Sequence, residues 1–281
     1  MQKVVAEKLT QEWVIKRLPF RPNDANKGIF GKILVVAGSE NYPGAAYLAC
    51  AACYRVGAGL VTLVTEPEVK IIVSRKLPEV TFLSFDKVFD ELNKYDVLLI
   101  GPGLGRSSRM AAFIKQLLGY RLPKTIIDGD GLNILSKTEQ WWEKLQGEII
   151  FTPHPKEMSR LAGLSVQKIQ ANRINVAQYF AKKWNKIIVL KGANTVIAPP
   201  LGGVQVSPFA NPILATAGTG DVLSGIIAGM LAQGLDCFKG SCVGVYIHGL
   251  AGELVGKKIG KAGMLASDLL PMLPHVIKDL V

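Results

Sequence analysis

Six short apolar runs rich in β-branched residues constrain this chain more than any other feature. They are KILVVAG (32–38), LVTLVT (60–65), DVLLIG (96–101), KTIIDGD (124–130), EIIFTP (148–153) and KIIVLKG (186–192). Stretches of helical character alternate with them. Runs this short and this continuously apolar have no side for water, so they read as strands of a parallel sheet buried between helix layers. The period then changes. NTVIAPP and GGVQVS, joined through a Pro-Pro-Leu-Gly turn, read as an antiparallel hairpin at one edge of that sheet. Beyond residue 218 the chain reads as almost all helix, over 219–233, over 237–257 and in two shorter pieces after Ala266. At 281 residues one α/β domain spanning 1–281 is expected.

The net charge of +11 raises the question of nucleic acid, but the basic residues are scattered and lack interleaved aromatics. A small polyanionic ligand suits them better, and no nucleic-acid partner is expected. MQKVVAEKLTQEWV carries charges where a signal peptide needs an apolar core, and no uncharged run approaches the ~18 residues of a membrane span. No membrane association and a cytoplasmic location are therefore expected. Cys50 and Cys53 lie within a small-residue helical stretch, as do Cys237 and Cys242, which argues against a zinc knuckle or a disulfide.

In an open parallel sheet the ligand lies beyond the carboxyl ends of the strands, so the residues just after each run carry the functional expectation. GPGLGR (101–106) has one residue between Gly103 and Gly105 where a dinucleotide fingerprint needs two, and no P-loop pattern occurs. Gly105 still offers bare backbone to a ligand. In IIDGDGLN, one of Asp128 and Asp130 is expected to cap a helix and the other to shape a pocket. His154 stands between two prolines on a rigid turn, positioned for ligand contact, with Glu157 in the helical turn that follows. Lys191 is either a surface hairpin lysine or a cation beside a phosphate, with Asn194 and Thr195 as nearby polar groups. The segment ATAGTGDVLSGIIAGML places Gly218, Thr219, Gly220 and Asp221 before an apolar helix. An acid there suits a helix start, but two flanking glycines suit an anion held on exposed amides.

Together, KGIFGKILVVAGS, YPGAAYLA, RVGAGLV, GPGLG, DGDGLN, TPHPKEMSRLAG, VLKGANT and LATAGTGDVLSGIIAGMLAQG with HGLAG resemble the ADP- or ATP-dependent NAD(P)H-hydrate dehydratases. These form the C-terminal part of YjeF-type proteins in the ribokinase-like superfamily, and the resemblance covers residues 25 to 270. It implies a ribokinase-like three-layer α-β-α sandwich and a soluble enzyme, often homotetrameric, that repairs hydrated NADH or NADPH with Mg²⁺ and an adenine nucleotide. Its closeness to bacterial members implies ADP rather than ATP. Many relatives are fused behind an epimerase, so a separate NAD(P)H-hydrate epimerase is the expected functional partner.

By the same resemblance Gly218, Thr219 and Gly220 form the anion hole, and Asp221 is the catalytic base that also meets the hydrate. Lys191, Gly192, Ala193, Asn194, Thr195 and Gly220 match the nucleotide contacts. Ala45, Gly105 and His154 match the hydrate contacts. TPHPKE is similar to the kinases' T-P-N-x-x-E, which assigns Glu157 an indirect role toward magnesium. His154 in place of the asparagine favours a dehydratase over the alternative, a small-molecule kinase of the hydroxyethylthiazole or hydroxymethylpyrimidine type. A nucleotide-binding regulator that has lost catalysis is disfavoured by the intact Asp221.

Overall fold

The computed structural model describes residues 5–281. Strands β1 (Ala6–Lys8), β2 (Lys32–Val36), β3 (Leu60–Val64), β4 (Thr81–Phe82), β5 (Val97–Ile100), β6 (Lys124–Ile127), β7 (Ile149–Phe151), β8 (Ile187–Leu190), β9 (Val196–Ala198) and β10 (Val204–Val206) form one sheet. Around it lie α1 (Gln11–Ile15), α2 (Pro43–Arg55), α3 (Pro67–Lys76), α4 (Val88–Glu91), α5 (Ser108–Leu117), α6 (Gly129–Leu135) and α7 (Trp141–Lys144). They are followed by α8 (Pro155–Ala162), α9 (Val166–Ala171), α10 (Arg173–Trp184), α11 (Thr219–Ala232), α12 (Cys237–Ile259) and α13 (Leu269–Leu280).

The strand order is β1-β10-β9-β8-β7-β6-β5-β2-β3-β4, and among the described residues only β9 runs antiparallel to its neighbours. All six apolar runs are strands, and the hairpin is β9–β10. The hairpin is not outermost, however, because β1 pairs with β10 in parallel and covers its edge. Strand β4 extends the opposite edge beyond β3.

Successive side chains of a strand point to opposite faces, and β2 shows what that does here. Ile33 and Val35 enter one core with α2, α11, α12 and α13, while Leu34 and Val36 enter another with α5, α6, α8 and α10. All four are fully buried. A sheet with cores on both faces is the three-layer sandwich expected from the continuous apolar runs. Cys50, Cys53, Cys237 and Cys242 are buried in α2 and α12 with free thiols. No helix among the described residues is long and apolar enough to cross a membrane.

The small residues of α2 and α11 let these two helices approach backbone to backbone. A methyl group at Gly225 would press on the Ala49 carbonyl oxygen and come within 2.8 Å of the Ala52 side chain. This contact fixes where the N-terminus of α11 points, and Gly218 there abuts Leu48 of α2. Alanine raises helix propensity by about 1 kcal/mol over glycine, but overpacking costs about 1–3 kcal/mol. Gly225→Ala is therefore expected to lower the melting temperature by several degrees, and an unchanged or raised value would show that the helices can part cheaply.

Candidate active site

The chain runs from β2 outward to β3 and β4, then returns to β5 on the other side of β2. Such a reversal opens a crevice at the carboxyl ends of the two strands. The loops after β2 and β5 are tied across it, with Gly38 N–H donating to the Pro102 carbonyl at 2.8 Å and Ser39 Oγ to the Gly103 carbonyl at 2.8 Å. Gly103 lies directly against Ala45, in the first turn of α2. Gly105 N–H donates to Asp130 Oδ2 at 3.0 Å. The structure thus brings Ala45 and Gly105 to one crevice, with Asp130 at its rim.

Beside the crevice, the ends of β6, β7 and β8 converge on a buried cluster. Asp128, 2% exposed, follows β6 at the N-cap position of α6, but its side chain makes no capping bond. Instead Oδ1 pairs with Lys191 Nζ at 2.6 Å and Oδ2 accepts from Ser224 Oγ at 3.0 Å. Asp130 does not cap either; it receives Gly105, Arg106 at 3.3 Å and Asn133 at 3.4 Å. Lys191 is therefore not a surface lysine. Burial works to lower its pKa, but the Asp128 and Glu157 carboxylates outweigh this and raise it.

His154 is the N-cap of α8. Its Nδ1 accepts from the backbone N–H groups of Lys156 and Glu157 at 3.1 and 3.3 Å, while Glu157 Oε2 accepts from the His154 N–H at 2.8 Å. This reciprocal capping box is usually built on serine or threonine. An Nδ1 that accepts two bonds leaves the proton on Nε2, which lies 3.4 Å from Glu157 Oε1. Burial and the Lys191 charge push the His154 pKa down to about 4, so the ring is neutral at physiological pH. Burial and the Asp128 charge hold Glu157 well above the usual carboxylate range, although Lys191 opposes them.

Helix α11 starts at Gly218, whose φ of +91° is a conformation that favours glycine. Thr219 Oγ1 donates to the carbonyls of Leu214 and Thr216 at 2.8 and 2.9 Å, and the buried His248 ring bonds the Thr219 carbonyl at 3.0 Å. The carbonyls and hydroxyl are thus occupied, and the Thr219 N–H makes a long bond to the Thr216 carbonyl at 3.4 Å, while the first-turn N–H groups that follow lack helical partners. Asp221 stands one residue past Gly220. Burial first, then the Asp128 charge, raise its pKa to about 7.

A cavity of about 530 Å³ opens beside this helix start, within the size range of small-molecule sites. It is lined by His154, Lys191, Gly192, Ala193, Thr195 and Gly220 among others. Asn194 is not among the lining residues. With φ +53°, it donates through its side chain to the Ser207 carbonyl and through its backbone to the Phe209 carbonyl, and so secures the cavity wall. Arg173 braces the same loop by donating to the Leu190 and Ala193 carbonyls. Arg173, Ser224 and His248 had no assigned role from sequence; HGLAG, which contains His248, entered only as part of the family resemblance. Among the described residues no group of three His, Cys, Asp or Glu side chains could hold a metal ion.

Residues 33–275 match the NAD(P)H-hydrate dehydratase family. The chain is 39% identical to the bifunctional NAD(P)H-hydrate repair enzyme Nnr of Moorella thermoacetica, covering 97% of this chain and 54% of that protein. It therefore spans about half the length of that relative. It is 35% identical to the ADP-dependent (S)-NAD(P)H-hydrate dehydratase of Bacillus subtilis over 96% of this chain and 97% of that one. Its backbone is similar to a crystal structure of the Bacillus subtilis ADP/ATP-dependent NAD(P)H-hydrate dehydratase co-crystallized with ATP/Mg²⁺, at a TM-score of 0.90, with 34% identity and full coverage of both chains.

The cluster makes Lys191 a test of its electrostatics, because removing one partner of a buried ion pair strands the other's charge. Lys191→Met is expected to lose about 3–5 kcal/mol of unfolding free energy, and adding Asp128→Asn should restore about half or more. Denaturant titration of both variants checks this; equal losses in the single and double variants would show that the pair is not coupled.

Proposed function

Because the chain belongs to the NAD(P)H-hydrate dehydratase family, we propose that it is an ADP-dependent (S)-NAD(P)H-hydrate dehydratase, converting hydrated NADH or NADPH back to the intact dinucleotide. One observation carries the residue assignments. Gly220 lines the nucleotide-sized cavity, while the next residue, Asp221, feels the charges of Asp128 and Asp130, the latter bonded to Gly105 of the crevice. Asp221 thus follows the cavity wall by one residue and lies close enough to Asp128 to feel its charge, which supports its role.

In this reading the cavity holds ADP against Lys191, Gly192, Ala193, Thr195 and Gly220, and Asn194 shapes the loop. The crevice holds the hydrated ring near Ala45 and Gly105, and His154 meets it from the cavity wall with Nε2–H as a neutral donor. Asp221 takes the proton of the 6-hydroxyl as its oxygen attacks the terminal phosphorus, and the bond from that phosphorus to AMP breaks. The N–H groups of Gly218 to Gly220 and the α11 dipole stabilise the charge on the transferring phosphoryl group. The ring nitrogen's lone pair then expels phosphate from C6, and loss of a C5 proton restores the dihydropyridine. The products are dinucleotide, AMP, phosphate and a proton.

Mg²⁺ commonly binds through substrate phosphates, waters and one or two carboxylates rather than in an all-protein cage. Glu157 fits this indirect role, since its carboxylate is buried and held in place by the His154 N–H. Glu157 and Asp128 would hold its waters, and the ion would neutralise phosphate charge. A homotetramer in the cytoplasm, working beside an NAD(P)H-hydrate epimerase, completes the proposal.

The test is to incubate the protein with hydrated NADH, Mg²⁺ and ADP or ATP, each freed of the other. Near-ultraviolet dihydropyridine absorbance is expected to rise faster with ADP. No rise with either nucleotide would overturn the function, a stable phosphorylated alcohol would mark a kinase, and faster turnover with ATP would overturn the donor assignment.

Asp221→Asn should fold and bind nucleotide as before, because asparagine also suits a helix start, while turnover drops by roughly 10²-fold or more. In the parent enzyme the base acts as carboxylate. With a pKa of about 7 in the free protein, kcat/KM should climb as pH rises toward about 7 and level off above it. Near-native turnover in the variant, or a profile flat through neutrality, would remove Asp221 from that role.

A further inference from the structure

A second groove, of about 380 Å³, lies between α5 and the end of α6, outside the residues assigned above. Ser108, Ala111, Ala112 and Lys115 line it from α5 at positions i, i+3, i+4 and i+7, which places them on one helix face. Small side chains form that wall, and cations stand toward its ends. Arg106 lies at the end nearer the crevice, where it pairs with Asp130 at 3.3 Å. Lys115 and Lys137 lie farther along, are exposed, and have no ion-pair partner among the described residues.

The groove is continuous with the proposed hydrate crevice through Asp130. That carboxylate receives Gly105 N–H, faces Arg106, and bonds Asn133, which lines the groove. Ser108 and Lys115 are seven residues apart, about 10 Å along the helix axis. Such a span suits a ligand with two separated anionic groups, one at each end. A dinucleotide has a pyrophosphate in its middle and, in the phosphorylated form, another phosphate on its far ribose.

We propose that this groove takes the phosphate-bearing tail of the dinucleotide substrate, with Arg106 at the pyrophosphate and Lys115 and Lys137 at the ribose phosphate. It rests on the hydrate-repair reading and extends it to specificity: hydrated NADPH is bound in preference to hydrated NADH. The end of the substrate that does no chemistry is thereby held by charge, and the reacting ring is left to the crevice.

Binding of the intact dinucleotides separates this proposal from the repair reading, because it requires no turnover. Calorimetric titration of NADPH and NADH is made into protein whose nucleotide cavity is filled with a non-hydrolysable ATP analogue. NADPH should bind about fivefold more tightly or better, the scale of two exposed charge contacts. In Lys115→Ala/Lys137→Ala the NADPH-to-NADH ratio should fall to within roughly twofold of one, and Arg106→Ala should weaken both dinucleotides by a similar factor. Equal affinities in the parent protein, a preference retained in the double variant, an Arg106→Ala effect confined to one dinucleotide, or no NADPH binding would each overturn the groove assignment. Hydrate turnover by the parent enzyme would stand or fall separately.

Discussion

The ion pair between Lys191 and Asp128 joins the ends of β8 and β6 across the strand between them, and the surrounding groups are arranged against its charges. Asp128 is buried, so without Lys191 and the Ser224 hydroxyl it would be an isolated carboxylate in apolar surroundings. The same lysine lies 3.9 Å from Glu157 and adjoins Gly220. One cation therefore faces three acids, Asp128, Glu157 and Asp221. Burial raises the pKa values of Glu157 and Asp221, and Asp128, the repelling neighbour they share, adds to it against the pull of Lys191.

Packing on the far side of the sheet determines how this charge meets a ligand. The Gly225 contact with α2 holds α11 close, so the N-terminus of α11 opens at the strand ends with its N–H groups beside Lys191. Helix dipole and lysine then act on the same space. His248 contributes from α12 by holding the Thr219 carbonyl, which keeps the first turn from rotating. An apolar helix–helix seam and an electrostatic site are thus two ends of one element.

The layers were legible in the sequence because six strands are buried on both faces and so advertise themselves as apolar runs. Strands β1 and β4 were not, since AEK and TF are too short and too exposed for a pattern; pairing alone makes them strands. The position of β1 also explains why the hairpin, read as an edge, has a neighbour. At the site, the expectation that one of Asp128 and Asp130 caps a helix fails for both, and the role Asp128 has instead was not legible. It depends on Lys191, 63 positions away, and on Ser224, 96 positions away, which only the folded sheet brings together. Asn194 read as a ligand contact because it follows a strand end, yet its left-handed backbone turns its amide into the wall.

His154 puts an imidazole where a helix start more often carries an amide or a hydroxyl, and this changes what the turn can offer. An asparagine at that turn would cap the helix with its amide oxygen, one of the best groups for the purpose. The imidazole caps equally through Nδ1, but its other nitrogen lies on the opposite edge of a rigid ring and carries the proton. Capping and donation are therefore divided between two atoms a ring-width apart. With its pKa pushed to about 4, the ring adds no charge to a cluster already crowded with ionisable groups. In the proposed reaction a neutral, fixed N–H donor would suit a hydrated, uncharged ring better than a cation, because nothing would then compete with Lys191 for the phosphoryl group.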